Sequence, residues 1–126
     1  MQARNRWVGM TLIELLVVLV IMALLSAMAA PVLTNYLREA RRVDAISQLL
    51  LLQMAQEEYR LKSTEYAQLA DLGTLVSSEF YTFSSTNISA ESYTLTAKAQ
   101  GSQAADSDCA SISVNQHDQR SPAGCW

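Results

Sequence analysis

The stretch GMTLIELLVVLVIMALLSAMAAPVL, residues 9–33, decides the architecture. No charged side chain occurs between Glu14 and Arg38, and residues 15–33 are apolar apart from Ser26 and the helix-disfavouring Pro31. An α-helix rises about 1.5 Å per residue, so roughly 20 such residues cover the ~30 Å hydrocarbon core of a bilayer. Upstream, Arg4 and Arg6 have no acidic counterpart. An excess of cations on one flank orients a span with that flank in the cytoplasm, which predicts an N-in, C-out anchor.

An ordinary secretory leader is one alternative, because Ala27, Met28 and Ala29 offer small residues at a cleavable position. The carboxylate of Glu14 just inside the run weighs against it, since an ionised side chain is costly in hydrocarbon. The pattern also continues past Ala29 into a helical period instead of stopping. A plain single-pass anchor explains the run and leaves Glu14 without a role.

Read as one unit, Gly9-Met10-Thr11-Leu12-Ile13-Glu14 after a short basic leader resembles the class III signal of type IV prepilins and pseudopilins. That resemblance implies cleavage by a prepilin peptidase between Gly9 and Met10 and N-methylation of Met10, where the family more often has Phe. It implies that Glu14 pairs with the amino terminus of a neighbouring subunit and sets axial register, the partner that a lone intramembrane carboxylate requires. Pro31 stands where type IVa pilins have a proline, and the missing backbone donor predicts a kink or a loosened turn.

Beyond Pro31 the pattern turns amphipathic. Tyr36, Ala40, Val43, Ile46, Leu50 and Met54 recur at three- and four-residue steps among Arg38, Glu39, Arg41, Arg42 and Asp44. One helix is predicted from Thr11 to about Lys62. The run Leu49 to Leu52 is apolar on more than one side, so one face can meet a sheet while another meets neighbouring helices. Arg38, Arg41 and Arg42 read as a solvated face of the stalk. Residues 63–79 break the period, with at most a helical turn from Tyr66 to Leu72. Tyr81 to Ser84, Tyr93 to Ala99 and Cys109 to Val114 alternate as half-buried antiparallel strands do, with a turn over Gln100 to Asp108.

The expected fold is therefore α+β: a long N-terminal helix, transmembrane in its first half and amphipathic in its second, packed on a small antiparallel sheet. The corresponding segments are a leader at 1–9, a membrane or filament-core helix at 10–34, and a periplasmic head at 35–126. The head divides into helix 35–62, loop 63–79, and sheet with cysteine loop 80–126. Cys109 and Cys125 enclose 15 residues. In an oxidising compartment a disulfide there would stabilise the head by roughly 3 kcal/mol in the chain-entropy account; two reduced, buried thiols are the alternative.

The order of parts, with Ala70 to Gly73, Tyr93 to Ala97, Cys109 and the Cys125-Trp126 pair, resembles minor pilins of the PilE type and their relatives, which include DNA-uptake pilins. It implies a structural subunit of a type IV pilus that takes part in assembly, and so in motility, adhesion or DNA uptake. The implied partners are other pilins, the prepilin peptidase, the inner membrane and the assembly platform, with the cell surface as final location. A type II secretion pseudopilin shares the N-terminus, but the cysteine pair argues against it. No enzyme is expected. His117 with Asp118 and nearby Ser111, Ser113 and Ser121 lacks the pocket and oxyanion site of a triad, and no cofactor or metal is implied, because Cys109, His117 and Cys125 lack the close ligand pairs of a zinc site. A DNA receptor is the alternative. From residue 61 onward Lys62, Lys98 and Arg120 face seven carboxylates, a balance of −4, where phosphate contacts demand cations. A basic patch gathering Lys98 and Arg120 would favour that alternative.

Overall fold

A computed structural model describes residues 9–74 and 76–126. Helix α1 spans Leu12–Arg60, close to the predicted Thr11 to Lys62. Thr11 lies just outside, and its Oγ1 accepts the Glu14 N–H at 3.3 Å, so it caps the first turn instead of joining it. The chain divides into two compact units, one ending at Tyr36 and one running from Leu37 to Trp126.

In the first unit the helix is long and apolar enough to cross a membrane by length and composition, and its apolar side chains are exposed. The hydroxyls within it are satisfied locally. Ser26 Oγ donates to Met22 O at 2.8 Å and Thr34 Oγ1 to Pro31 O at 2.9 Å, as a polar group in hydrocarbon must be. The helix assignment continues through Pro31.

The second unit contains a four-stranded antiparallel sheet, ordered β1(Tyr81–Thr86), β2(Thr94–Ala99), β3(Ser111–Asn115) and β4(Arg120–Ser121). Tyr81 pairs with Ala99, Leu95 with Val114, and Val114 with Arg120. Three strands fall where alternation predicts them. β3 begins two residues late, because Cys109 lies in a 3-10 turn, Ser107–Cys109. The predicted Gln100 to Asp108 turn is a pair of 3-10 turns opened by Gly101 at φ +57°, a left-handed backbone that favours glycine. The position of β4 is not marked in the sequence: two residues before a proline carry no alternation to read. Among the described residues the loop after α1 holds one short 3-10 helix, Leu69–Asp71.

Alternation sends Tyr81, Leu95, Ala97, Ile112 and Val114 to one face, where they are buried with Ala45, Leu49 and Leu52 of α1. The helical period is as predicted, but its buried phase is not carried by the stripe read from the sequence. The helix buries Ala45, Leu49, Leu52 and Gln56, whereas Val43, Leu50 and Met54 remain exposed. The quadruple leucine supplies both faces. Gln56 disguised the inner one: its amide donates to Ala67 O at 2.7 Å and accepts the Ala67 N–H at 2.9 Å, tying the helix to the following loop. A buried amide with both groups paired is tolerated in a core.

Candidate functional site

Gly9 and Met10 precede the helix in irregular backbone, and both are exposed. A side chain at Gly9 would meet open space, and its φ lies outside the left-handed range. The fold of this chain therefore makes no demand for glycine there. Glu14 sits in the first turn of α1, exposed. Among the described residues its carboxylate has no ionic partner.

In the second unit, two of the three arginines predicted to form a solvated face, Arg41 and Arg42, are anchored within the chain, and that reading is corrected for them. Arg42 Nη2 lies 2.7 Å from Asp106 Oδ2, with side chains only 20% and 13% exposed, and Nε donates to the same oxygen at 3.1 Å. Arg41 stacks 3.7 Å above the Phe80 ring and donates to Ser102 Oγ at 3.2 Å. Fully buried Gln103 completes the cluster: its Nε2 lies within hydrogen-bond distance of Arg38 O, Tyr81 Oη and Asp106 Oδ2. Burial raises the Tyr81 phenol above its ordinary value, opposed by the Gln103 bond. The links of Arg41 to Ser102, Arg42 to Asp106 and Arg38 to Gln103 join residues more than sixty positions apart, and the sequence reading missed them. The only signal was a cation pattern on α1 facing an aspartate in the turn region, which does not specify a pairing.

A disulfide joins Cys109 to Cys125, so neither sulfur is available as a thiolate ligand. His117 lies exposed in the β3–β4 turn, its backbone N–H bound to Asn115 Oδ1. Arg120 forms two hydrogen bonds with Asp118, each 3.1 Å, and lies 5.0 Å from the Trp126 ring centroid. The register separates the two cations proposed as a patch. Lys98 shares the outer face with its partners Thr82 and Ser111, whereas Arg120 pairs with inward-facing Val114. Directly opposed residues point to the same side, so Lys98 and Arg120 do not gather into one patch. The outer positions are otherwise uncharged: Thr82, Ser84 and Thr86 on β1, Thr94 and Thr96 on β2, and Ser111, Ser113 and Asn115 on β3.

Residues 31–113 match the family described as type IV minor pilin ComP, DNA uptake sequence receptor. This chain belongs to that minor pilin family. Residues 9–30 match the prokaryotic N-terminal methylation motif. Among solved structures, a type IV pilin from Shewanella oneidensis is similar, with 27% identity and a TM-score of 0.58 over 71% of this chain and 97% of that one. No curated protein matches the chain. The comparisons agree with the α+β pilin fold, and the family is one of structural pilus subunits. The apolar helix and the methylation motif fit a membrane-anchored pilin.

Proposed function

We propose that this minor pilin is made as a precursor, cut between Gly9 and Met10, N-methylated on Met10, and held N-in, C-out in the inner membrane. An assembly platform then draws it into a type IV pilus at the cell surface. The observation that carries this reading is the Gly9 to Glu14 motif at the mouth of an exposed apolar helix. A glycine that the fold does not need suits recognition by a peptidase, and residues 1–9, 10–34 and 35–126 serve as leader, filament-core helix and head. Glu14 sets register by pairing with the methylated amino group of an adjacent subunit, because a carboxylate in hydrocarbon needs a counter-charge. Pro31 gives the helix a site that can loosen as subunits pack. The test is Glu14→Ala in cells making the pilus. The variant should persist in the membrane and be depleted from the sheared pilus fraction; equal recovery in both fractions would discard the register role.

DNA reception is the second reading, supported by the description of the matched family, whose profile covers most of the head. The carboxylate excess of the head opposes it. The outer sheet face around Lys98 is the region free of that repulsion, and its hydroxyls can donate to phosphate oxygens. On this reading duplex binding weakens with added salt and with Lys98→Ala.

A further inference from the structure

Within the Leu37–Trp126 unit, helix α1 carries a second apolar stripe that the head does not use. Ala40, Val43, Ser47, Leu50 and Met54 are all exposed, Val43 at 57% and Met54 at 68%. Their steps of three and four residues alternate, which is the seven-residue period of the a and d positions in paired helices. With Ala40 as a, the buried residues Ala45, Leu49, Leu52 and Gln56 fall at f and c, on the opposite side of the helix. Ser47 does not interrupt the stripe, because its Oγ donates to Val43 O at 3.0 Å and so turns its polar atom onto its own helix. The stripe ends where Glu57 takes the next d position, its carboxylate 3.5 Å from the Tyr93 hydroxyl. An apolar face only an a and a d position wide fits the ridge of another helix, whereas a sheet or a bilayer surface meets a broader one.

The charges beside the stripe define which helix it fits. The e and g positions border the seam between paired helices and set partner choice. Here Glu39 stands at g and Asp44 at e, both exposed. The cations of the same half of α1 are turned to the head: Arg41 to Phe80 and Ser102, Arg42 to Asp106, and Arg60 to Ser63 O at 2.9 Å and the Tyr66 ring. Farther along, Glu58 at e is neutralised by Lys62. In a parallel pair of copies, g of one helix lies across from the following e of the other, so Glu39 would face Asp44 of the second copy, twice by symmetry. In an antiparallel pair e meets e, and Asp44, Leu51 and Glu58 include no cation. Like charges set across such a seam exclude a partner, and the same carboxylates oppose an anionic membrane surface.

We propose that the outward face of residues 40–54 is a docking site for a helix of a different chain, apolar at its a and d positions and carrying lysine or arginine at e and g, and that this face rejects a second copy. The apolar stripe supplies the contact and the Glu39 and Asp44 carboxylates supply the choice of partner. The proposal concerns which helix a structural subunit accepts, and it stands whether or not Gly9 is cut or Glu14 sets register.

The test titrates the full chain, held in nonionic detergent micelles, into two fluorescent, end-blocked helical peptides about three heptads long. Both carry leucine at a and d; one has lysine and the other glutamate at e and g. At low salt, fluorescence anisotropy should show the lysine peptide binding about tenfold more tightly than the glutamate peptide. Glu39→Lys combined with Asp44→Lys should reverse that order. Val43→Ser combined with Met54→Ser, which alters exposed positions only, should remove the binding of both peptides. The proposal is overturned if the two peptides bind alike, if the charge reversal leaves their order unchanged, or if the serine variant binds as the parent does. Sedimentation that finds a dimer of the parent chain, lost in the serine variant, overturns it in favour of a second copy.

Discussion

Asp106 shows how much of the head depends on single polar contacts. Its Oδ2 takes two bonds from Arg42 and lies 3.3 Å from Gln103 Nε2, all on groups largely removed from solvent. Removing one member of such a cluster leaves the others desolvated and unpaired, which costs more than the pair itself contributes. Asp106→Ala should destabilise the head by about 2 kcal/mol, after allowance for the remaining exposure of Arg42. Urea unfolding followed by near-ultraviolet circular dichroism would read this. Lys62→Ala removes an ion pair whose side chains are both 72% exposed and should leave the midpoint where it was. Tyr93 makes a different demand. Burial, reinforced by the nearby Glu57 carboxylate, pushes its phenol up from 10.0 to about 12. The folded state thus holds that proton more tightly than the unfolded chain does. The contribution is complete below pH 10.0 and is lost as the pH rises through about 12. Tyr93→Phe, which keeps the ring against Tyr66, should flatten the alkaline fall in stability over that window. A fall as steep as in the parent protein would assign it to Tyr66 and Tyr81, which burial also raises.

Helix α1 illustrates what patterning conveys about an element and what it leaves out. Within the Leu37–Trp126 unit the buried positions Ala45, Leu49, Leu52 and Gln56 advance by four, three and four residues, one helical stripe. Leu50 and Met54 lie on another face and are exposed. Leu49→Ala should cost about 3 kcal/mol by opening a cavity beneath the sheet, whereas Met54→Ala should leave the subunit's own stability nearly unchanged. Equal losses in a denaturant titration would mean that the helix does not bury this stripe. Element type and order were legible because the 3.6- and 2-residue periods are strong and Gly101 marks a turn. The phase of the helix was not, since a run of four leucines fits two faces and Gln56 reads as surface until its amide is seen paired with Ala67. β4 was illegible for a simpler reason: its pairing comes from the hairpin after Asn115, not from its two residues. The Arg42, Gln103 and Asp106 cluster was illegible because long-range partners among many charged residues leave no local signal.

At the scale of the whole molecule, a membrane-anchored pilin would have to serve two environments with one sequence, and the parts differ in which physics specifies them. The N-terminal stretch is specified by what it lacks, charge, and by one carboxylate placed where charge is costly, so its reading survives without any packing information. The head is specified by packing, by paired polar groups and by a covalent tie between Cys109 and Cys125. On the proposed function, both environments would leave a signature in the mature product. If the Gly9 to Glu14 motif is processed, the protein from cells with an active prepilin peptidase should be lighter by residues 1–9 and heavier by one methyl group on Met10. It should also lack the two cysteine protons, and reduction should restore them. Without the peptidase the same head, with the same disulfide, should be found on an uncut chain. With the proposed N-in, C-out anchor the two signatures would be independent, since the peptidase would act on the cytoplasmic side of the span and the disulfide would form beyond it. Intact mass therefore separates two errors. A product starting near Ala30 in cells with active peptidase would mean a secreted domain, and the pilus role would go. A product starting at Met10 with both thiols free would keep the anchor and remove the oxidising compartment assigned to the head.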